Sequence, residues 1–253
     1  MQSSTAARLL SLNLQFYQTF GKAFAETRRR IQPGIRCALE LIPPSGRWLD
    51  LGCGPGTLAL EWTRSGKVRR QGEYLGLDFS AQLLDEARQA VQGLAVPGLQ
   101  IHFAPADLSV AGWEKTAQGL PFDGVLAFAV LHHLPGAELR RQVLCRVHEL
   151  LAPGGCFIHS EWQFQHSAKL MARRQPWDRI GLKDEDLEEG DTLLDWRHAL
   201  VGQAERSGLR YVHLFSRPEL ADLAAQSGFV VEREFDSDGE GGRLGLYQVW
   251  RRV

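Results

Sequence analysis

Cysteine is sparse and unpaired in this 253-residue chain: Cys37, Cys53, Cys145 and Cys156 are scattered, with no CxxC pair among them. That spacing argues against a structural zinc site and a disulfide framework and points to a reducing compartment. No metal is expected. Charge of one sign is equally lacking. Lys and Arg number 29 against 30 Asp and Glu, a formal net charge of −1, so there is none of the global basic surplus that advertises nucleic-acid binding. No apolar run reaches membrane length, the N-terminus lacks the charged-then-apolar layout of a secretory signal, and no repeat stands out. A cytoplasmic protein without membrane contact is expected; its oligomeric state is left open.

What is there is a globular composition, 44% hydrophobic and 23% charged, in a chain long enough to bury a large core. From Arg47 onward, short apolar runs ("RWLDL", "YLGLD", "LQIHFA", "FDGVLAFAV", "CFIHSEW") alternate with amphipathic stretches. This is the order that builds a parallel sheet with helices on both faces. Ser80 caps a helix with Leu83, Leu84, Ala87 and Val91 on one face, and Glu138 to Ala152 repeats apolar residues at helical spacing before "PGG", where a glycine cap is expected. Ser216 and Glu219 form a capping box for "RPELADLAAQSGF", and two final strands, "FVVEREF" and "LGLYQVW", follow. The expected fold is α/β and Rossmann-like: seven strands, mostly parallel, the last antiparallel. An N-terminal helical lid (1–46) precedes the core (47–162), an insertion (163–209) covers the sheet's carboxyl edge, and the last helix and two strands (210–253) return to the core.

The segment "WLDLGCGPGTLALEW" reads as a strand, a glycine-rich turn and a helix start. Gly52, Gly54 and Gly56 suit a backbone that turns sharply against a ligand. A dinucleotide site would want GxGxxG and a pyrophosphate at the helix N-terminus, but the sixth position is Thr57 and an acid, Asp50, precedes the first glycine. A carboxylate there suits a cationic amine. Asp78 ends the second strand, where it can accept both hydroxyls of a ribose, and Asp107 follows the third, within reach of an exocyclic amine. An amine acceptor, a ribose acceptor and an adenine acceptor at successive strand ends describe S-adenosylmethionine.

These motifs resemble the class I S-adenosylmethionine-dependent methyltransferases, over roughly Arg47 to Trp162 and the terminal strands. The resemblance implies S-adenosylmethionine as cofactor, S-adenosylhomocysteine as product, and Cys53, Phe79, Ala106, Leu108, Phe128 and Ala129 as further cofactor contacts. Three more segments are similar to the tRNA wobble-uridine carboxymethyl methyltransferases: the leader around Tyr17, Phe24, Thr27, Arg28 and Pro33; "FDGVLAFAVLHHL"; and Trp196 with "RYVHLF". Departures from that pattern are Asp195 before Trp196, where the family has proline, and "GEGGRLGLYQVW" in place of a C-terminal Asn-Trp. The resemblance lands on Arg28 and Tyr17 as cofactor-side residues. It implies a tRNA wobble uridine derivative, or another RNA, as methyl acceptor.

Residues 1–36 carry six Lys and Arg against one acid, enough to meet a phosphate or carboxylate, whereas "DEDLEEGD" has six acids in eight residues and would repel phosphate on the same face. A small-molecule acceptor therefore stays open, as does a catalytically silent S-adenosylmethionine-binding protein. His132 and His133 end the fourth strand on the acceptor side and, with Arg28, are the candidate catalytic residues. A carboxylate acceptor is ionised at pH 7 and needs orientation rather than a base, so Arg28 or another arginine would serve it. A hydroxyl, amine or carbon acid would want a base, and one of the histidines becomes the candidate. Tyr17, Trp162, Trp196, Tyr211 and His213 could line the acceptor pocket or simply pack in the core.

Overall fold

A computed structural model describes residues 1–26, 30–64, 70–119, 121–198 and 206–253. Helix α1 (Ser3–Glu26) and helix α2 (Pro33–Glu40) lead into the alternating core: β1 (Ser45–Leu51), α3 (Thr57–Thr63), β2 (Gln71–Asp78), α4 (Ala81–Val91), β3 (Leu99–Pro105), β4 (Phe122–Phe128), α5 (Ala137–Leu150) and β5 (Leu151–Trp162). A short helix α6 (Ala168–Met171) and strands β6 (Arg174–Gln175), β7 (Asp191–His198) and β8 (Arg206–His213) come next. Helix α7 (Arg217–Gln226) and strands β9 (Phe229–Ser237) and β10 (Gly245–Arg252) close the chain.

The main sheet has seven strands in the order β3-β2-β1-β4-β5-β10-β9. β10 runs antiparallel to both neighbours and the other five described pairings in line with β1 are parallel or follow from it, as the alternation predicts. Side chains alternate across the sheet with period two. Leu49 and Leu51 of β1 face a core shared with Val143, Leu144 and Val147 of α5 and Leu220 of α7. Trp48 turns to the opposite core, with Ala38 of α2 and Leu58 and Trp62 of α3.

Ser80 caps α4 as expected, its hydroxyl accepting from Leu83 N at 3.3 Å. The helix read over Glu138 to Ala152 ends instead at Leu150. Leu151 is already extended, and Gly154 (φ 72°) turns the chain inside the irregular start of β5 rather than capping the helix. The segment read as an insertion holds a second, three-stranded antiparallel sheet, β6-β7-β8, whose pairing runs on to His213. Period-two patterning in "TLLDW" and "LRYVH" carried that signal. At α7 half of the expected capping box forms. The Ser216 hydroxyl accepts from Glu219 N at 3.2 Å, but the Glu219 carboxylate goes to His213 Nε2 at 2.9 Å and to Arg140 at 3.4 Å.

Candidate active site

Strand order reverses between β1 and β4, the switch point at which open α/β sheets take ligands. A cavity of about 870 Å³ opens there, large for a small-molecule pocket. Gly52, Gly54 and Gly56 follow β1 with φ of 68°, 53° and 74°. A Cβ on Gly52 would stand 2.7 Å from Val130 Cγ2, so both conformation and space demand glycine there. The loop is tied to the end of β2: Cys53 N–H donates to the Leu77 carbonyl and Gly54 N–H to Asp78 Oδ2, both at 2.9 Å.

Three carboxylates stand where successive strands end. Asp50 is 3% exposed and accepts a hydrogen bond from the Tyr74 hydroxyl. Burial pushes it up to about 7, against the pull of that hydrogen bond. Asp78, also buried, accepts from Gly54 N–H and from Ser80 N–H at 2.8 Å; desolvation raises it despite these bonds. Asp107 is exposed and accepts from the backbone and hydroxyl of Ser109 at 2.9 and 2.6 Å. β4 ends at Phe128, and Ala129 takes φ 60°, a strained conformation for a residue with a side chain. Its N–H reaches the Ser160 carbonyl at 3.0 Å and hydroxyl at 3.1 Å.

Helix α1 roofs the cavity through Leu10, Asn13, Leu14 and Tyr17. Asn13 pins the roof: its Oδ1 accepts from Tyr211 N at 2.8 Å while its Nδ2 donates to the Tyr211 carbonyl at 3.1 Å. The two adjacent histidines have different surroundings. His133 spans the roof and β8, with Nε2 2.9 Å from the Tyr17 hydroxyl and Nδ1 3.3 Å from the Tyr211 carbonyl. A carbonyl only accepts, so Nδ1 carries the proton and Nε2 accepts from Tyr17. His132 is 2% exposed, and its Nδ1 lies 3.2 Å from Glu161 Oε2; the other Glu161 oxygen is 3.0 Å from His159 Nδ1. Burial drives His159 down to about 3, keeping it neutral, and lifts Glu161 well above the ordinary carboxylate range.

Tyr17, Asp50, Gly52, Cys53, Gly54, Asp78, Phe79, Ala106, Asp107, Leu108, Phe128, Ala129, His132 and His133 all line this one cavity. Gly56 is not part of the wall. A Cβ there would meet Ala87 Cβ at 2.8 Å, so this glycine lets α3 pack on α4. Arg28, with Thr27 and Arg29, lies outside the described residues. Of the aromatic candidates, Tyr17 and Trp162 line the cavity. Trp196 packs on Phe16 and Phe20 instead, and Tyr211 and His213 both turn to Asp191, at 2.7 Å each. Sequence reasoning missed Glu161, Asp238 and Asn13, and took Arg210 only as part of a motif. The available signal was "HSEW", three polar residues inside a strand that is otherwise wholly apolar. Two of the six acids in "DEDLEEGD" also turn inward: Glu188 pairs with Arg140 at 2.7 Å and Asp191 holds Tyr211 and His213.

Among the described residues no helix is long and apolar enough to cross a membrane, and no three His, Cys, Asp or Glu side chains converge as metal ligands would.

Residues 49–157 match the family model of a methyltransferase domain. A tRNA (carboxymethyluridine(34)-5-O)-methyltransferase of Schizosaccharomyces pombe is 23% identical over 239 residues, 88% of this chain and 91% of that protein. The trans-aconitate 2-methyltransferase of Methylobacterium nodulans is 36% identical over 135 residues, 53% of this chain and 44% of that one. Several other curated relatives are matched over only part of their length, in one case 34% and in another 53%. The crystal structure of an S-adenosylmethionine-dependent methyltransferase from Methanosarcina mazei superposes with a TM-score of 0.63 at 22% identity, over 88% of this chain and 98% of that one, a likeness of fold.

Proposed function

We propose that this chain, a class I S-adenosylmethionine-dependent methyltransferase by its matched domain and its fold, methylates a carboxylate oxygen, with a tRNA wobble uridine derivative as the leading acceptor. The observation that carries the reading is the single cavity in which three strand-end acids and the histidine edge of β4 meet. Its wall fits the cofactor. Asp50 would hold the ammonium, Asp78 the ribose hydroxyls, Asp107 and the backbone beside it the adenine, with Phe79 against the ring and the glycine loop beneath. When bound, S-adenosylmethionine supplies an electrophilic methyl group on a sulfonium.

The chain's own work is then positioning, because in-line displacement depends on where the acceptor is held. Leu10 and Leu14 of the roof exclude water. Glu161 fixes the His132 ring through Nδ1, and His132 orients the acceptor. His133 props Tyr17 and so the roof. A carboxylate arrives ionised at pH 7 and asks for no base. Both relatives named above for their acceptors, an aconitate and a carboxymethyluridine, act on carboxylate-bearing molecules.

A labelled-methyl assay over undermodified tRNA and acidic metabolites tests this. A methyl ester releases its label as methanol in mild alkali, whereas a methyl ether or amine keeps it. Alkali-stable label on every acceptor would sink the carboxylate reading. The near balance of 29 basic and 30 acidic residues favours a small organic acid as a second reading. Steep salt sensitivity of tRNA binding would count against it.

A further inference from the structure

We propose that Arg210 is the residue that recognises the acceptor's carboxylate. The inference rests on the carboxylate reading above and adds to it a specific recognition residue. Arg210 sits on β8, is 4% exposed, and lines the same cavity as the glycine loop. Its guanidinium lies 4.8 Å from the ring centroid of Trp162 and 5.7 Å from that of Phe16, so aromatic faces set its plane. The Trp162 ring is in turn 6.3 Å from that of His132, which puts the guanidinium on the histidine side of the cavity.

Taking a guanidinium out of water is costly, and the cost is recovered where an anion can meet it. Arginine is also the side chain whose planar fork matches a carboxylate bidentately. The acids of the cavity wall are held by other donors. Asp50 is taken by Tyr74, Asp78 by the Gly54 and Ser80 amides, and Asp107 by Ser109. Glu161 lies between His132 and His159, and Asp238 accepts from Gly34 N–H at 2.9 Å and the Tyr247 hydroxyl at 2.6 Å. Arg30, the other arginine among the described wall residues, is exposed. The leader arginines advertised by the sequence are therefore not the buried cation of this cavity; Arg210 is.

The test compares wild type, Arg210→Met and Arg210→Lys for alkali-labile methyl transfer to trans-aconitate and to tRNA carrying 5-carboxymethyluridine, with S-adenosylhomocysteine binding measured alongside. Arg210→Met should raise KM for the accepted acid about a hundredfold or more, with S-adenosylhomocysteine affinity unchanged. Arg210→Lys, which keeps the charge and loses the fork, should fall between the two. A KM for Arg210→Met within about threefold of wild type overturns the assignment while leaving carboxylate methylation standing. Equal losses of cofactor-product and acceptor binding in both variants mark Arg210 as structural and also overturn it. If wild type places no alkali-labile methyl on either acceptor, the carboxylate reading fails and the assignment falls with it.

Discussion

Replacing Asp50 with Asn tests the cofactor half of the cavity most directly. The carboxyl is 3% exposed, and burial moves it from an ordinary 3.8 up to about 7. A folded-state pKa above the unfolded one means that the ligand-free fold holds the proton more tightly than the open chain does. The stabilising contribution is complete below about pH 4 and is lost as pH rises to about 7. At roughly 1.4 kcal/mol per unit, ionising Asp50 costs the ligand-free fold about 4 kcal/mol by pH 8. Asn keeps the shape and still accepts from Tyr74, but has no charge to bury. Urea unfolding at intervals from pH 5 to 8 should therefore show Asp50→Asn gaining on wild type as pH rises. The same series with S-adenosylhomocysteine should reverse the order, because the ligand's ammonium is met only by the ionised Asp50. Loss of that charge-assisted contact is worth about 1.5–3 kcal/mol, or roughly ten- to a hundredfold in Kd. Parallel pH curves for the two proteins, or equal stabilisation of both by the ligand, would refute the reasoning.

Glu161→Gln should lower kcat by about tenfold or more with S-adenosylhomocysteine binding intact, since it loosens the His132 ring without touching the glycine loop. With a carboxylate acceptor the wild-type rate should be level from pH 6 to 8.5; a unit-slope rise through neutrality would reveal a base at work and contradict the proposed acceptor. Arg140 is 1% exposed and holds the Leu134 carbonyl, Glu188 and Glu219. Arg140→Met should cost about 3–5 kcal/mol in chemical unfolding, and a loss below about 1 kcal/mol would show the network to be dispensable. Asn13→Ala removes both bonds to the Tyr211 backbone, so it should cost about 1–3 kcal/mol and speed proteolytic cleavage within α1; an unchanged cleavage rate would mean the roof is fixed by packing alone.

The main sheet was legible because each strand of the alternating core carries an apolar run bounded by a turn or cap, and local chemistry agrees with global topology there. The second sheet was harder to see. Thr192, Asp195 and Arg210 are polar residues in buried strand positions, so "TLLDW" and "LRYVH" lack the clean alternation of a half-solvated strand. The same rule explains the site. Asp50, Asp78 and the glycines announce themselves by order along the chain, since a strand end and the loop after it are contiguous. The pairing of His132 with Glu161, 29 residues on, depends instead on β4 and β5 lying side by side, and that of Asn13 with Tyr211, 198 residues on, on α1 packing against β8.

Those long-range pairings also separate two histidines that are neighbours in sequence. In the turn Leu131–His133 the rings lie 4.4 Å apart, yet one faces a buried carboxylate and the other a tyrosine hydroxyl and a backbone carbonyl. His133 is occupied at both nitrogens by elements that close the cavity, so its loss should be felt through the roof. His132 is tied through Nδ1 to the wall of the cavity, so its loss should be felt by the acceptor. The fold thus turns a repeated residue into two functions by anchoring each ring to a different layer, α1 and β8 for one and β5 for the other.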